Sequence, residues 1–196
     1  RTYEDFKSFM EANPDLPVVE MDTVKGGRNK GKVFLTMIFR RTSFMLIFLM
    51  NDGTQDSVIQ IFDSLTEILG VSLFKRLFPV ILTDNGVEFK NPQALEHTRT
   101  GLSRTRVFFC DPQASWQKPQ VENNHHLIRR ILPKGVSFSP LTVADVTLIC
   151  CHINSVLREN LDNKTPLDLM DSKDGKKLLS LLQLSPNPPD EVTLSP

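Results

Sequence analysis

Hydrophobic positions change period several times along the chain, and each change marks an element. From Leu16 to Val24 the stretch LPVVEMDTV is rich in β-formers, with Val18, Glu20 and Asp22 on one face and Val19 and Met21 on the other. After the glycine-rich turn KGGRNKGK come VFLTMIFR and SFMLIFLM, two β-branched and aromatic runs separated only by Arg41-Thr42. Three such runs joined by short turns predict an antiparallel meander. Thr54 then caps a predicted helix whose apolar residues Val58, Ile61, Phe62, Leu65, Ile68 and Leu69 keep helical spacing as far as Gly70. PVILT reads as a short buried strand ending at Thr83-Asp84-Asn85-Gly86, residues 91–104 are polar and partly helical, and RVFF is a further strand. Residues 112–135, PQASWQKPQVENNHHLIRRILPKG, predict a loop and then a helix stopped by Pro133 and Gly135. Thr142 and Asp145 have the spacing of a capping box, opening a helix with Val143, Val146, Ile149, Ile153 and Val156 on one face. The predicted order β-β-β-α-β-(α)-β-α-α is that of a mixed sheet with helices on its faces, an α/β layer fold. A helix ending at Asn13-Pro14 makes residues 1–16 an N-terminal linker, residues 17–170 the core, and 171–196 a peripheral, partly Pro-rich extension.

Composition narrows the function. With 196 residues and 40% hydrophobic content the chain can bury one ordinary core. The most apolar run, VFLTMIF, is too short to span a bilayer and stops at Arg40-Arg41. Three Cys, two of them adjacent, give no disulfide framework and point to a reducing cytoplasm. The first residue is Arg1 rather than Met, as expected of a piece of a longer protein. A net charge of zero excludes a broadly basic nucleic-acid binder, but the charge is unevenly placed. Between His97 and Lys134 seven Lys or Arg stand against two acids, a local +5 suited to phosphate. Gly26-x-x-x-x-Gly31-Lys32 falls one residue short of a P-loop, because Val33 stands where Ser or Thr would hold Mg²⁺. Cys150, Cys151 and His152 lack the Cys-x-x-Cys spacing of a zinc site, and no Gly-x-Ser-x-Gly of a hydrolase is present.

Three carboxylates remain. Asp22 has an ordinary reading as a strand-edge acid facing water, Asp84 as part of an Asp-Asn-Gly turn, and Glu122 as an acid favoured at a helix N-terminus. They change meaning together. If the first and fourth strands are neighbours, Asp22 and Asp84 converge and a helix N-terminus packed nearby supplies Glu122. Three adjacent carboxylates repel one another, which divalent cations relieve. Hard oxygen donors suit Mg²⁺ or Mn²⁺, and a pair of such ions stabilises attacking and leaving oxygens in phosphoryl transfer.

The blocks V-x-x-D-T-V, L-T-D-N-G-x-E-F and D-P-x-x-S-W-Q-x-x-x-x-E-N-x-x-x-x-I-R-R-x-L-P-K-G resemble the catalytic core of DDE transposases, nearest to the bacterial IS-thirty family, over residues 15–170. The resemblance implies an RNase-H-like, integrase-type fold with a mixed five-stranded sheet and helices on both faces. It also implies a DDE triad of Asp22, Asp84 and Glu122 holding two Mg²⁺ ions, with Mn²⁺ able to substitute. The implied task is strand cleavage at terminal inverted repeats and attack of the freed 3′-OH on target DNA. A homo-oligomer of two or more copies would do this in the bacterial cytoplasm, associated with the nucleoid and not with a membrane. Arg129, Lys118, His126, Arg130 and Trp116 are implied DNA contacts, although Trp116 reads more readily as a core residue capping the loop than as a platform on which DNA stacks. Asn85 is implied to hydrogen-bond beside the acids, and Glu88 to be structural. The chain departs from the family at Ala114, at Lys118-Pro119 and at His125-His126. It contains no helix-turn-helix or His-His-Cys-Cys zinc module, so end recognition is expected in sequence N-terminal to it. Two alternatives keep the same residues: an RNase-H-like nuclease that uses water only, and an inactive DNA-binding remnant of a transposase.

Overall fold

The computed structural model describes residues 1–27 and 31–188. The middle of the glycine-rich turn, within the P-loop-like spacing, and the end of the Pro-rich tail lie outside the described residues. Five strands form one sheet: β1 (Val18–Lys25), β2 (Val33–Phe39), β3 (Met45–Met50), β4 (Val80–Thr83) and β5 (Arg106–Phe109), in the order β3-β2-β1-β4-β5. β1, β2 and β3 are the expected antiparallel meander, and β4 and β5 add to it in parallel. The sheet is therefore mixed, and its register matters. Val18 pairs with Val80, Val19 with Ile81 and Glu20 with Leu82, so the same ladder carried two residues further sets Asp22 beside Asp84.

Strand alternation decides what each face packs against. Val19 and Met21 turn to the face covered by α2 (Gln55–Leu69), α3 (Val71–Leu77) and α7 (Lys173–Leu181), where Phe62, Phe74 and Phe78 form an aromatic chain. Each buried ring there stabilises the fold by about 1.5–3 kcal/mol. Val24, with Phe34, Ile38 and Ile47, turns to the opposite face under α5 (Pro119–Ile131) and α6 (Val143–Asn154). α1 (Tyr3–Ala12) lies over the β4–β5 end, seating Phe6 against Val18, Leu82 and Phe108.

Local signals account for most boundaries. Thr54 accepts from the Ser57 N–H, and Thr142 and Asp145 form a complete capping box. α2 stops at Gly70, whose φ of 76° permits the chain to turn by 112° into α3. α3 escapes sequence reading because two turns are too short to show a period. Leu178 of α7 is fully buried in the main core, so residues in the stretch expected to be peripheral pack against α2 and α3. After β1 the backbone passes so close to the loop at 135–138 that a Cβ on Gly26 would sit 2.7 Å from the Val136 carbonyl oxygen. At the outer edge, the Asn154 side chain accepts from the Met45 N–H (2.8 Å) and donates to the Met45 carbonyl (2.7 Å). No single helix among the described residues is long and apolar enough to cross a membrane.

Candidate active site

β1 presents two acids toward α5, and they have different tasks. Glu20 is wholly buried. Its Oε1 accepts from Arg40 Nε (2.8 Å), and its Oε2 accepts from the backbone N–H groups of Gln120 (2.9 Å) and Val121 (3.0 Å). Arg40 also donates to the Gln117 carbonyl at 2.9 Å. The first turn of α5 has no side-chain cap from its own N-cap residue, Lys118. Glu20 supplies that cap from the sheet, placing a carboxylate at the positive end of the helix. Burial pushes the Glu20 carboxyl above the usual carboxylate range, while the Arg40 guanidinium pulls it down. Sequence reading placed Glu20 on the Asp22 face and assigned it nothing; an acid inside an apolar strand two positions before Asp22 was the available signal.

So anchored, α5 runs alongside β1 in the same direction. Gln120 meets Glu20, His125 lies over Thr36, and Arg129 Nη2 donates to the Lys25 carbonyl at 2.8 Å. Glu122 then lines a pocket of about 210 Å³ together with Asp22, Asp84, Asp111, Ser115 and Lys118. The three acids singled out from sequence are brought together. Asp22 is half-buried and its carboxyl is raised, first by burial and further by Asp84, against the lowering effect of Lys118. Asp84 accepts from the Gly86 N–H (2.9 Å), and a Cβ at Gly86 would fall 2.7 Å from Glu88 Oε2 and 3.0 Å from Asp84 Oδ1. Glycine thus leaves room for both carboxylates where this loop folds back on its own acids; a larger residue would push them aside. Glu88 is held by the Thr23 hydroxyl at 2.7 Å, which ties the Asp84 loop to β1. Asn85 Nδ2 donates to the Cys110 carbonyl at 2.8 Å, fastening the same loop to the end of β5. Gln117 and Asp111 exchange two hydrogen bonds of 2.8 Å that close the loop before α5.

The donor chemistry suits a hard divalent cation. Cys110 also lines the pocket, with a thiol that burial pushes up to about 11, while Asp22, Asp84, Asp111 and Glu122 line it with hard oxygens. A cation already sits there: Lys118 Nζ lies 3.1 Å from Asp22 Oδ2 and 3.7 Å from Asp84 Oδ2. As placed, no three His, Cys, Asp or Glu side chains among the described residues close on a single point as a metal cage. The residues expected to contact DNA divide in two. His126, Arg130 and Trp116 are exposed, Trp116 at 73%, so the indole is not packed under the loop. Lys118 is only 5% exposed, and Arg129 is half-buried with Nη1 lacking a protein partner.

His125 has a structural task. Its Nε2 lies 3.0 Å from Thr36 Oγ1, itself 3.2 Å from the Asp22 carbonyl oxygen. Burial above all, helped by Lys118 and Arg129, lowers its pKa to about 4. Between its unfolded value near 6.5 and that folded value, only the unfolded chain takes the proton. Stability is therefore complete above pH 6.5 and falls as pH drops through this window. Between pH 7 and pH 5 the loss from this residue is about 2 kcal/mol. Urea unfolding at both pH values checks it: His125→Gln should remove this share of the difference, and an unchanged pH dependence would contradict the assignment.

The strand order, the helices on both faces and the seat of the acids define an RNase-H-like core of the integrase type. Among solved structures, the simian T-cell lymphotropic virus intasome in complex with the PP2A regulatory subunit B56 gamma aligns over 92% of this chain and 61% of its own, at 20% identity and a TM-score of 0.60. The HTLV-2 integrase catalytic core domain in complex with magnesium aligns over 79% of this chain and 97% of its own, at 17% identity and a TM-score of 0.54. Insertion-sequence transposases are among the sequence relatives. The transposase of IS1086 from Cupriavidus metallidurans is 30% identical over 151 residues, covering 77% of this chain and 42% of the relative. Transposase InsI of IS30C from Escherichia coli (strain K12) is 31% identical over 153 residues, covering 78% and 37%. The resemblance to IS30-family transposases, read from the three sequence blocks, stands. The chain spans about two fifths of the length of these curated relatives. No protein-family model matches it.

Proposed function

We propose that this chain is the catalytic segment of a transposase, a polynucleotidyl transferase that cleaves one DNA strand and joins the freed 3′-OH to a target phosphodiester. Asp22, Asp84 and Glu122 are its catalytic and metal-holding acids. The observation that carries the reading is their convergence: the β1–β4 register sets Asp22 beside Asp84, and the Glu20-capped α5 brings Glu122 to the same pocket. Bound Mg²⁺, or Mn²⁺ in its place, in a pair would supply the charge that activates the attacking oxygen and stabilises the leaving one.

The chain's own residues do the rest. Asp22, set beside Asp84 by the strand register and lining the pocket with Glu122, would hold metal together with both. Asn85, Glu88 and Thr23 hold the Asp84 loop against β1 and β5. His126, Arg130 and Trp116, exposed on α5 and the loop before it, offer charge and a flat apolar ring to a nucleic-acid strand. Arg129, three residues beyond His126 on α5, is half-buried and keeps Nη1 without a protein partner. The substrates are the element's terminal inverted repeats and target DNA in the bacterial cytoplasm, and synapsis of two ends calls for at least two copies.

A joining assay tests this. With Mn²⁺, the chain should transfer a labelled duplex carrying a recessed 3′-OH end into plasmid DNA. Shortened strands without joined product would favour the water-only nuclease. Neither product, together with no Mn²⁺ binding by calorimetry, would leave the inactive remnant.

A further inference from the structure

The acids of the pocket are not waiting empty-handed. Lys118 reaches back from the start of α5 and places its ammonium 3.1 Å from Asp22 Oδ2, 3.7 Å from Asp84 Oδ2 and 3.2 Å from the Met21 carbonyl oxygen. Its side chain is 6% exposed, and these are its only polar partners among the described residues. An ammonium so buried is held by its carboxylates; without them its desolvation is uncompensated. Asp22 and Asp84 are also the two acids that a divalent ion would take. The ion and the ammonium therefore compete for one pair of ligands, and a bound ion adds repulsion to the loss of partners.

We propose that Lys118 is an intramolecular occupant of the cation site, displaced when a divalent ion enters and thereby released toward the strand that the ion binds. The proposal rests on the reading of Asp22 and Asp84 as cation ligands. Two features support displacement over coexistence. Lys118 holds no bond to the third acid, Glu122, so the site it fills is the Asp22–Asp84 half. Gln113 and Ser115, both exposed, line the same pocket, which leaves the flexible four-carbon stem solvent-facing space in which to swing. In this account the chain carries its own countercharge when metal-free, and presents that charge to phosphate only once metal is in place. Metal occupancy and nucleic-acid affinity become linked through one side chain, and the linkage is reciprocal.

Two measurements on the same protein decide it. Mn²⁺ titrations by calorimetry should show Lys118→Gln and Lys118→Met binding the first ion about tenfold or more tightly than the unaltered chain, since a competing charge at contact distance is gone. In the unaltered chain, Lys118 should resist an amine-reactive label without metal and become modified when Mn²⁺ saturates the site, as read by mass spectrometry. Equal or weaker Mn²⁺ binding by both variants, or a Lys118 still protected at saturation, overturns the displacement. Should the variants fail to fold, the labelling of the unaltered chain decides alone. Absence of Mn²⁺ binding in all three proteins sinks the ligand assignment itself, a different failure from equal binding.

Discussion

Asp84→Asn is expected to lower DNA strand joining by at least about a thousandfold, because losing the ion held there removes several kcal/mol of charge stabilisation. The same change should leave the fold intact. Asn keeps the shape of Asp, can still accept the Gly86 N–H that Asp84 Oδ1 accepts at 2.9 Å, and replaces a side chain that is 49% exposed. Lys118 keeps its nearer carboxylate, Asp22 at 3.1 Å, so the buried ammonium is not left without a partner. The measurement pairs a Mn²⁺-dependent joining assay with urea unfolding. Joining at the unaltered rate by a folded Asp84→Asn protein would remove the acid from the catalytic set. A variant that merely unfolds would show it in the urea curve.

Glu20→Ala acts through the other acid of β1 and should cost about 3–5 kcal/mol of stability, the range found when one partner of a buried ion pair is removed. Arg40 loses its carboxylate, and the N–H groups of Gln120 and Val121 lose their acceptor together. The pair is not an argument for high stability, because taking both charges out of water is itself costly. Its value is positional: it decides where α5 begins and hence where Glu122 stands. Mn²⁺ affinity should therefore fall in Glu20→Ala although Glu20 does not line the pocket. Glu20→Gln keeps one acceptor and should show a smaller loss of both kinds. Urea unfolding and calorimetry measure the two effects, and a cost under about 1 kcal/mol would mean that the helix start is held by something else.

Much of this was legible before any coordinates. Alternation in β1, the meander, the Thr54 and Thr142 caps and the three acids follow from residue types at short range, where period and capping chemistry operate. The acid site was legible through the resemblance carried by the blocks around Asp22, Asp84 and Glu122, since each acid alone has an ordinary reading. What stayed hidden depends on partners far apart in the chain. Nothing near Glu20 signals that it caps a helix a hundred residues later, and Lys118 looks like any loop cation until Asp22 and Asp84 are placed around it. α3 was concealed by its length. Leu178 was obscured by the lysines and serines around it, which hide a short buried stripe.

The ladder that sets Asp22 beside Asp84 has a kinetic consequence. Between β1 and β4 lie β2, β3, α2 and α3, so the pair forms only when a long crossover has closed. Closing such a loop comes before its contacts reward it, which makes parallel pairing of this kind a slow, late event in folding. Hairpins and capped helices can form earlier without bringing the two acids together. If Asp22 and Asp84 hold the ion as proposed, divalent-ion binding requires the completed sheet. In refolding, Mn²⁺ binding should then first appear when β4 docks onto β1.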